Sequence, residues 1–164
     1  MLKELFLEPP RLTLGVAESL TGGRVQARIA AVSGASEFFR GGITAYTLTQ
    51  KQRHLGVDPT MAAAVNGVSA EVARQMARGA CALFGTDLGV ATTGYAEAAP
   101  ALGVFAPCAY WAICHRLSDN STIDREGFME LPGRRRVDVQ EAVAALLCEE
   151  LAAHLSAWRI ATRH

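Results

Sequence analysis

The sequence predicts an α/β fold: a single-domain, three-layer sandwich with a mixed sheet and helices on both faces. Three observations carry that prediction. Short apolar or β-branched runs alternate with helix-period segments from Leu12 to Thr93. Two strand-like runs then follow one another near the end with no helix between them, which makes the sheet mixed. Half of the 164 residues are hydrophobic and a fifth are charged, enough apolar material for a true core. No repeat, low-complexity segment or linker divides the chain, so residues 1–164 read as one domain.

The elements follow in order. Residues 1–7 suit a short helix closed by Pro9-Pro10. LTLGVA at 12–17 is a buried strand, ending in the turn Glu18-Ser19-Leu20-Thr21-Gly22-Gly23. Val25, Ile29 and Val32 then recur at helical spacing until Ser33-Gly34-Ala35-Ser36 breaks the pattern. Phe38-Phe39 forms an apolar patch, Gly41-Gly42 turns the chain, and ITAYT at 43–47 is a second strand. Residues 48–55 form a short helix stopped by Gly56, and 59–65 another that opens with Pro59. Ser69 caps a helix that runs to Phe84 and ends at Gly85. LGVATT at 88–93 is a third strand, CAYWAIC at 108–114 a buried fourth, and 122–131 a polar edge strand. Residues 137–158 close the fold as a long helix, with Val139, Val143, Leu146, Leu147, Leu151 and Leu155 facing inward.

Composition narrows the function. Formal net charge is zero, so no global field draws in nucleic acid or an acidic membrane. Cys81, Cys108, Cys114 and Cys148 form no C-x-x-C pair and no zinc spacing, and they read as reduced thiols, so no metal is expected. Residues 1–10 lack the apolar core of a signal peptide, and no apolar run is long enough to span a membrane. A cytoplasmic protein with a small-molecule partner is the expectation.

Three groups of residues have chemistry to offer. In the first turn, Gly22 and Gly23 let backbone N–H groups approach an anion at a helix start, and Ser19 and Thr21 add hydroxyls. The same residues also suit a plain tight turn with Thr21 as cap. In the second group, Ser36 is a serine that Lys51, or Tyr46 relaying to it, would activate as a nucleophile. The opposing reading makes Tyr46 a core residue and Lys51 a solvated lysine. In the third, Arg134-Arg135-Arg136 suits either a phosphate clamp or a solvated basic edge.

As a whole the pattern resembles the CinA C-terminal-domain family. The likeness lies in Ala17-Glu18-Ser19-Leu20-Thr21-Gly22-Gly23, in Gly34-Ala35-Ser36 with Phe39 and Gly42, in Ala45-Tyr46-Thr47 with Lys51, and in Leu55-Gly56-Val57. The helix that begins Val68-Ser69-Ala70-Glu71 and the pair Thr93-Gly94 continue it. The resemblance implies an α/β sandwich that hydrolyses the carboxamide of nicotinamide mononucleotide, or a related amide, to the acid and ammonia without a cofactor. It assigns catalysis to Ser36, Tyr46 and Lys51, and substrate binding to Ser19, Thr21, Gly22, Gly23, Thr93 and Gly94. Arg135 is the substrate-binding candidate in the arginine segment.

Departures from the family pattern give the alternative, a diverged paralogue that binds a small ligand or protein partner with little or no hydrolysis. Leu20 stands where the family usually has Cys, and Thr47-Leu48 where it has Ser-Asn. Tyr95-Ala96-Glu97-Ala98-Ala99-Pro100 replaces an Ile-Ala-Gly-Pro run followed by glycines, and Val139 replaces an arginine. Glu97 is expected to repel a substrate phosphate, leaving turnover of the mononucleotide weak or absent. The resemblance, together with Phe38 and Phe39 as exposed apolar candidates, predicts a homo-oligomer.

Overall fold

The computed structural model describes residues 2–162. The chain runs α1 (Leu2–Leu7), β1 (Leu14–Glu18), α2 (Arg24–Ala30), β2 (Phe39–Thr44), α3 (Leu48–Leu55), α4 (Pro59–Ala64) and α5 (Ala70–Phe84). It continues with β3 (Leu88–Tyr95), β4 (Cys108–Arg116), β5 (Thr122–Glu130) and α6 (Arg136–Thr162). The five strands form one sheet in the order β2-β1-β3-β4-β5. The β2-β1-β3 part is parallel, and β4 and β5 add on antiparallel, giving the expected mixed sheet.

Two cores lie on opposite faces, and strand alternation decides which residues enter each. Leu14, Val16, Leu88, Val90, Trp111 and Ile113 meet α1, α2 and the Leu147, Leu151, Leu155 stripe of α6. At its centre the other face carries small side chains, Ala17, Ala91, Ala112 and Cys114, under Val72, Ala73, Met76, Ala77 and Ala80 of α5, with Ile43 and Tyr110 packed beside them. That face lets the helix come very close: a Cβ on Gly89 would lie 2.0 Å from the Ala77 carbonyl oxygen.

Most elements lie within a few residues of their predicted places, and the second strand needs correction. It spans Phe39–Thr44, so Gly41 and Gly42 sit inside it rather than turning the chain. The β1–β2 register slips between Leu14 and Gly15, where Arg40 is the extra residue of a bulge. A Cβ on Gly41 would fall 2.8 Å from the Phe84 ring, and one on Gly42 within 2.4 Å of Gln26, so glycine here serves close packing within a strand. Phe38 is not a surface patch either. It is fully buried and stacked on Phe6 at 4.6 Å, which removes it as an oligomer contact.

The topology fixes where a ligand can sit. From β1 the chain crosses to β2 through α2 on one face, then to β3 through α3–α5 on the other. Strand order therefore reverses beside β1, and the loops following β1, β2 and β3 meet at one end of the sheet. That crevice, outside the carboxyl ends of parallel strands, is where open α/β sheets bind ligands.

Candidate active site

At that crevice lies a cleft of about 360 Å³, walled by Ser19 and Leu20 after β1, Tyr46 to Lys51 after β2, Asn66 to Val68 before α5, and Thr93 to Ala99 at the end of β3. Arg136, at the start of α6, stands at one side. Lys51 is brought in by the first turns of α3. Thr47 caps that helix by accepting from the Gln50 N–H, and Lys51 and Leu55 share its buried face.

Lys51 is only 4% exposed, and its Nζ donates to Ser19 Oγ at 2.8 Å. A second, longer contact of 3.5 Å goes to the Tyr46 carbonyl oxygen. Among the described residues no carboxylate pairs with the amine, and burial pushes its pKa from the ordinary 10.5 down to about 8. A lysine so placed gives up its proton near pH 8, well below an ordinary lysine, and the side-chain group it contacts is the Ser19 hydroxyl.

The remaining polar groups hold the walls. Thr93 Oγ1 donates to the Gly67 carbonyl oxygen at 2.6 Å, tying β3 to the loop before α5. Gly67 has φ 71°, and a Cβ there would strike Leu48 at 2.7 Å. Gln140 of α6 donates to the Leu20 carbonyl oxygen at 2.8 Å and so fixes the Ser19 loop from behind. Across the mouth, the Arg136 guanidinium donates to Glu97 at 3.0 Å and to the Tyr46 hydroxyl at 2.7 Å. Among the described residues no three His, Cys, Asp or Glu side chains gather as a metal site requires. Among them, too, no helix is long and apolar enough to cross a membrane.

Comparison with known families bears on what this cleft is. The family model described as the CinA C-terminal domain matches residues 4–151. The chain belongs to the CinA C-terminal domain family. A CinA-like protein of Chlorobium limicola is 37% identical over 141 residues, covering 84% of this chain and 32% of that protein. A putative competence-damage inducible protein of Moorella thermoacetica is 47% identical over 91 residues, or 56% of this chain and 22% of that one. The matched region is thus between about a fifth and a third of these relatives' length. Among solved structures, a competence-damaged protein (CinA) superfamily protein of Enterobacter cloacae superposes with a TM-score of 0.80 at 26% identity, over 94% of this chain and 88% of that one. One from Klebsiella pneumoniae 700603, at 24% identity, shares the fold with a TM-score of 0.82 over 96% and 94% of the two chains.

Within this CinA-family domain the sequence-derived candidates separate. Ser19, Tyr46, Lys51, Thr93 and Gly94 all line the cleft. Ser36 does not. It is exposed, in a short 3₁₀ turn (Ala35–Glu37) before β2, while Lys51 lies after β2. The length of that six-residue strand, at roughly 3.3 Å per residue, separates them. The expected convergence of Ser36 with Tyr46 and Lys51 is therefore replaced by that of Ser19 with Lys51. Tyr46 contributes a carbonyl to Lys51 but points its hydroxyl at Arg136, and it is half exposed rather than core.

The expected anion site at Thr21, Gly22 and Gly23 is filled by the chain itself. The buried Glu18 carboxylate accepts from the N–H groups of Gly23, Val25 and Gln26 at 3.0, 3.1 and 2.8 Å. Those are the donors a phosphate would need, and the carboxylate already satisfies the helix start. Thr21 is no cap. It is fully buried and shares a 2.7 Å hydrogen bond with Thr92. Arg135, just before α6, is spent on a bidentate contact to Asp138 in the first turn of that helix, and the cleft takes Arg136 instead. Glu97, expected to meet a ligand as a bare charge, is instead paired with Arg136. Gly94 owes its identity to the sheet, since a Cβ there would lie 2.3 Å from the Cys108 carbonyl oxygen.

Proposed function

We propose that the chain is a serine amidase, acting on the carboxamide of nicotinamide mononucleotide or a related pyridine carboxamide, with Ser19 as nucleophile and Lys51 as general base. The observation that carries the reading is the 2.8 Å contact between a buried, carboxylate-free lysine and a serine hydroxyl on the wall of an open cleft. Family membership supports it, because the resemblance drawn from the sequence implies the same overall chemistry.

The steps balance with these two groups. Neutral Lys51 takes the Ser19 Oγ proton as Oγ adds to the carboxamide carbon, and Lys51, now an ammonium, faces the developing oxyanion. Collapse breaks the C–N bond, the lysine proton goes to the departing nitrogen, and ammonia leaves an ester on Ser19. Water, deprotonated by Lys51, then hydrolyses that ester to the acid and regenerates the serine. Tyr46 and Arg136, whose side chains hydrogen-bond to each other at the mouth, are placed to hold the substrate.

The test is ammonia release from nicotinamide mononucleotide and a panel of other amides by the purified protein, with Ser19→Ala and Lys51→Met beside it. Turnover that both substitutions abolish supports the proposal. Turnover that survives Ser19→Ala would move the nucleophile elsewhere, and no ammonia from any amide would leave a ligand-binding domain.

A further inference from the structure

Resting on the amidase reading, we infer that Glu97 sets the charge of the substrate: the preferred ligand is an unphosphorylated carboxamide, a pyridine-carboxamide nucleoside in preference to its mononucleotide. Three charged side chains line the cleft, Lys51, Glu97 and Arg136. Lys51 is deep and engaged with Ser19. With the carboxamide carbon at Ser19, the far end of a mononucleotide emerges at the mouth, where Arg136 is the cation of the cleft wall that its phosphate meets first.

Arg136 is already occupied. One terminal nitrogen is held by Glu97 and the other by the Tyr46 hydroxyl. The three residues come from the start of α6 and from the loops after β3 and β2, so this lock joins three separate parts of the chain across the mouth. A phosphate has to take Arg136 from Glu97 and then lie beside the carboxylate it displaced, two like charges at close range. The hydroxymethyl end of a nucleoside displaces nothing and can donate a hydrogen bond to Glu97. Arg134 and Arg135 line an adjoining hollow that shares Glu97, Ala98 and Arg136 with the cleft, so they lie beyond the lock, and Arg135 is bound to Asp138. The cleft volume, near 360 Å³, is at the lower end of small-molecule sites and suits a nucleoside.

The experiment compares nicotinamide mononucleotide with its nucleoside in two readouts. Ammonia release gives kcat/KM for the native chain and for Glu97→Gln, and calorimetry on Ser19→Ala gives binding without turnover. The expected result is a nucleoside preference of about tenfold or more in both readouts, which Glu97→Gln reduces or reverses by freeing Arg136 for the phosphate. Adding Arg136→Gln to Glu97→Gln should cancel that gain. A native preference for the mononucleotide, or a ratio that Glu97→Gln leaves unmoved, overturns the inference while the amidase reading stands. Nucleoside-selective binding with no ammonia from either compound overturns the amidase reading and keeps the charge preference. Binding of neither compound overturns both.

Discussion

Buried bases sit at both ends of the sheet, and only one end is built for chemistry. At the carboxyl ends of β1–β3, Lys51 holds a serine hydroxyl on a cleft wall. At the other end, His115 of β4, paired in register with Leu88 at the start of β3, meets His154 of α6 at 3.1 Å, with Trp158 edge-on to its ring. Burial lowers all three pKa values: Lys51 to about 8, and each histidine to about 4, with the second ring adding to the effect on His115. Depressed basicity alone therefore does not mark a site. The difference lies in the partner. A base beside a hydroxyl can turn it into a nucleophile, whereas a base beside another base can only share one hydrogen with it.

The largest expected effect falls on the lysine end. Lys51→Met should lower amide turnover by at least about a hundredfold, as loss of a general base does. It should not unfold the protein. At pH 7 the native fold carries a buried ammonium, and removing it returns up to about 3 kcal/mol of desolvation cost, offset by the lost bond to Ser19. Ammonia assays and urea melts on the same preparation check both halves. A variant that loses activity only because it unfolds would break the comparison.

The pH profile sharpens it. Lys51 must be neutral to accept the serine proton, so kcat/KM should rise with unit slope and level near pH 8. Between pH 8 and pH 6 it should fall by about fiftyfold. A profile centred near pH 6 instead would point to a histidine and away from Lys51.

The histidine end should answer in stability instead. Its folded pKa values lie below the unfolded value of 6.5, so on acidification the unfolded chain binds protons first. Stability is then fully present above pH 6.5 and is lost as pH falls from 6.5 to about 4, by up to about 3 kcal/mol for each ring. Denaturant midpoints across that window measure it, and His115→Phe should flatten the slope. Activity measured at pH 8 should not respond to that substitution, provided the fold survives.

The sheet, both helical layers and the long closing helix were legible because each rests on a local signal: periodicity, a Ser69 cap, a Gly56 or Gly85 stop. The cleft loops were legible too. What the sequence could not give was which serine faces Lys51, because 32 residues separate Ser19 from it and only the parallel pairing of β1 with β2 brings them together. A turn at Gly41-Gly42 would detach Ser36 from β2, whereas the strand begins at Phe39, close behind the Ser36 turn. The available signal was positional: Ser19 follows a parallel strand and Ser36 comes before one. Glu18 was hidden differently. A strand-end carboxylate that reaches forward to the N–H groups of residues 23, 25 and 26 follows no short capping spacing.

The smallest expected effect is the sharpest test of that positional argument. Ser36→Ala should leave amide turnover within about twofold of native and stability within about 0.5 kcal/mol, the range of ordinary surface substitutions. The residue is exposed, and its backbone oxygen accepts a hydrogen bond from Arg40 at 3.4 Å, which alanine preserves. The neighbouring structure does not lean on its hydroxyl: the turn is closed by backbone bonds from Glu37 to Gly34 and from Phe38 to Ala35, and Phe38 is anchored by its ring on Phe6. Ser19→Ala, made in parallel, removes a hydroxyl of the same chemistry from the other end of the sheet and should abolish turnover. If Ser36→Ala proved as damaging as Ser19→Ala, the two ends of the sheet would not be independent, and the assignment of the nucleophile by strand topology would fall.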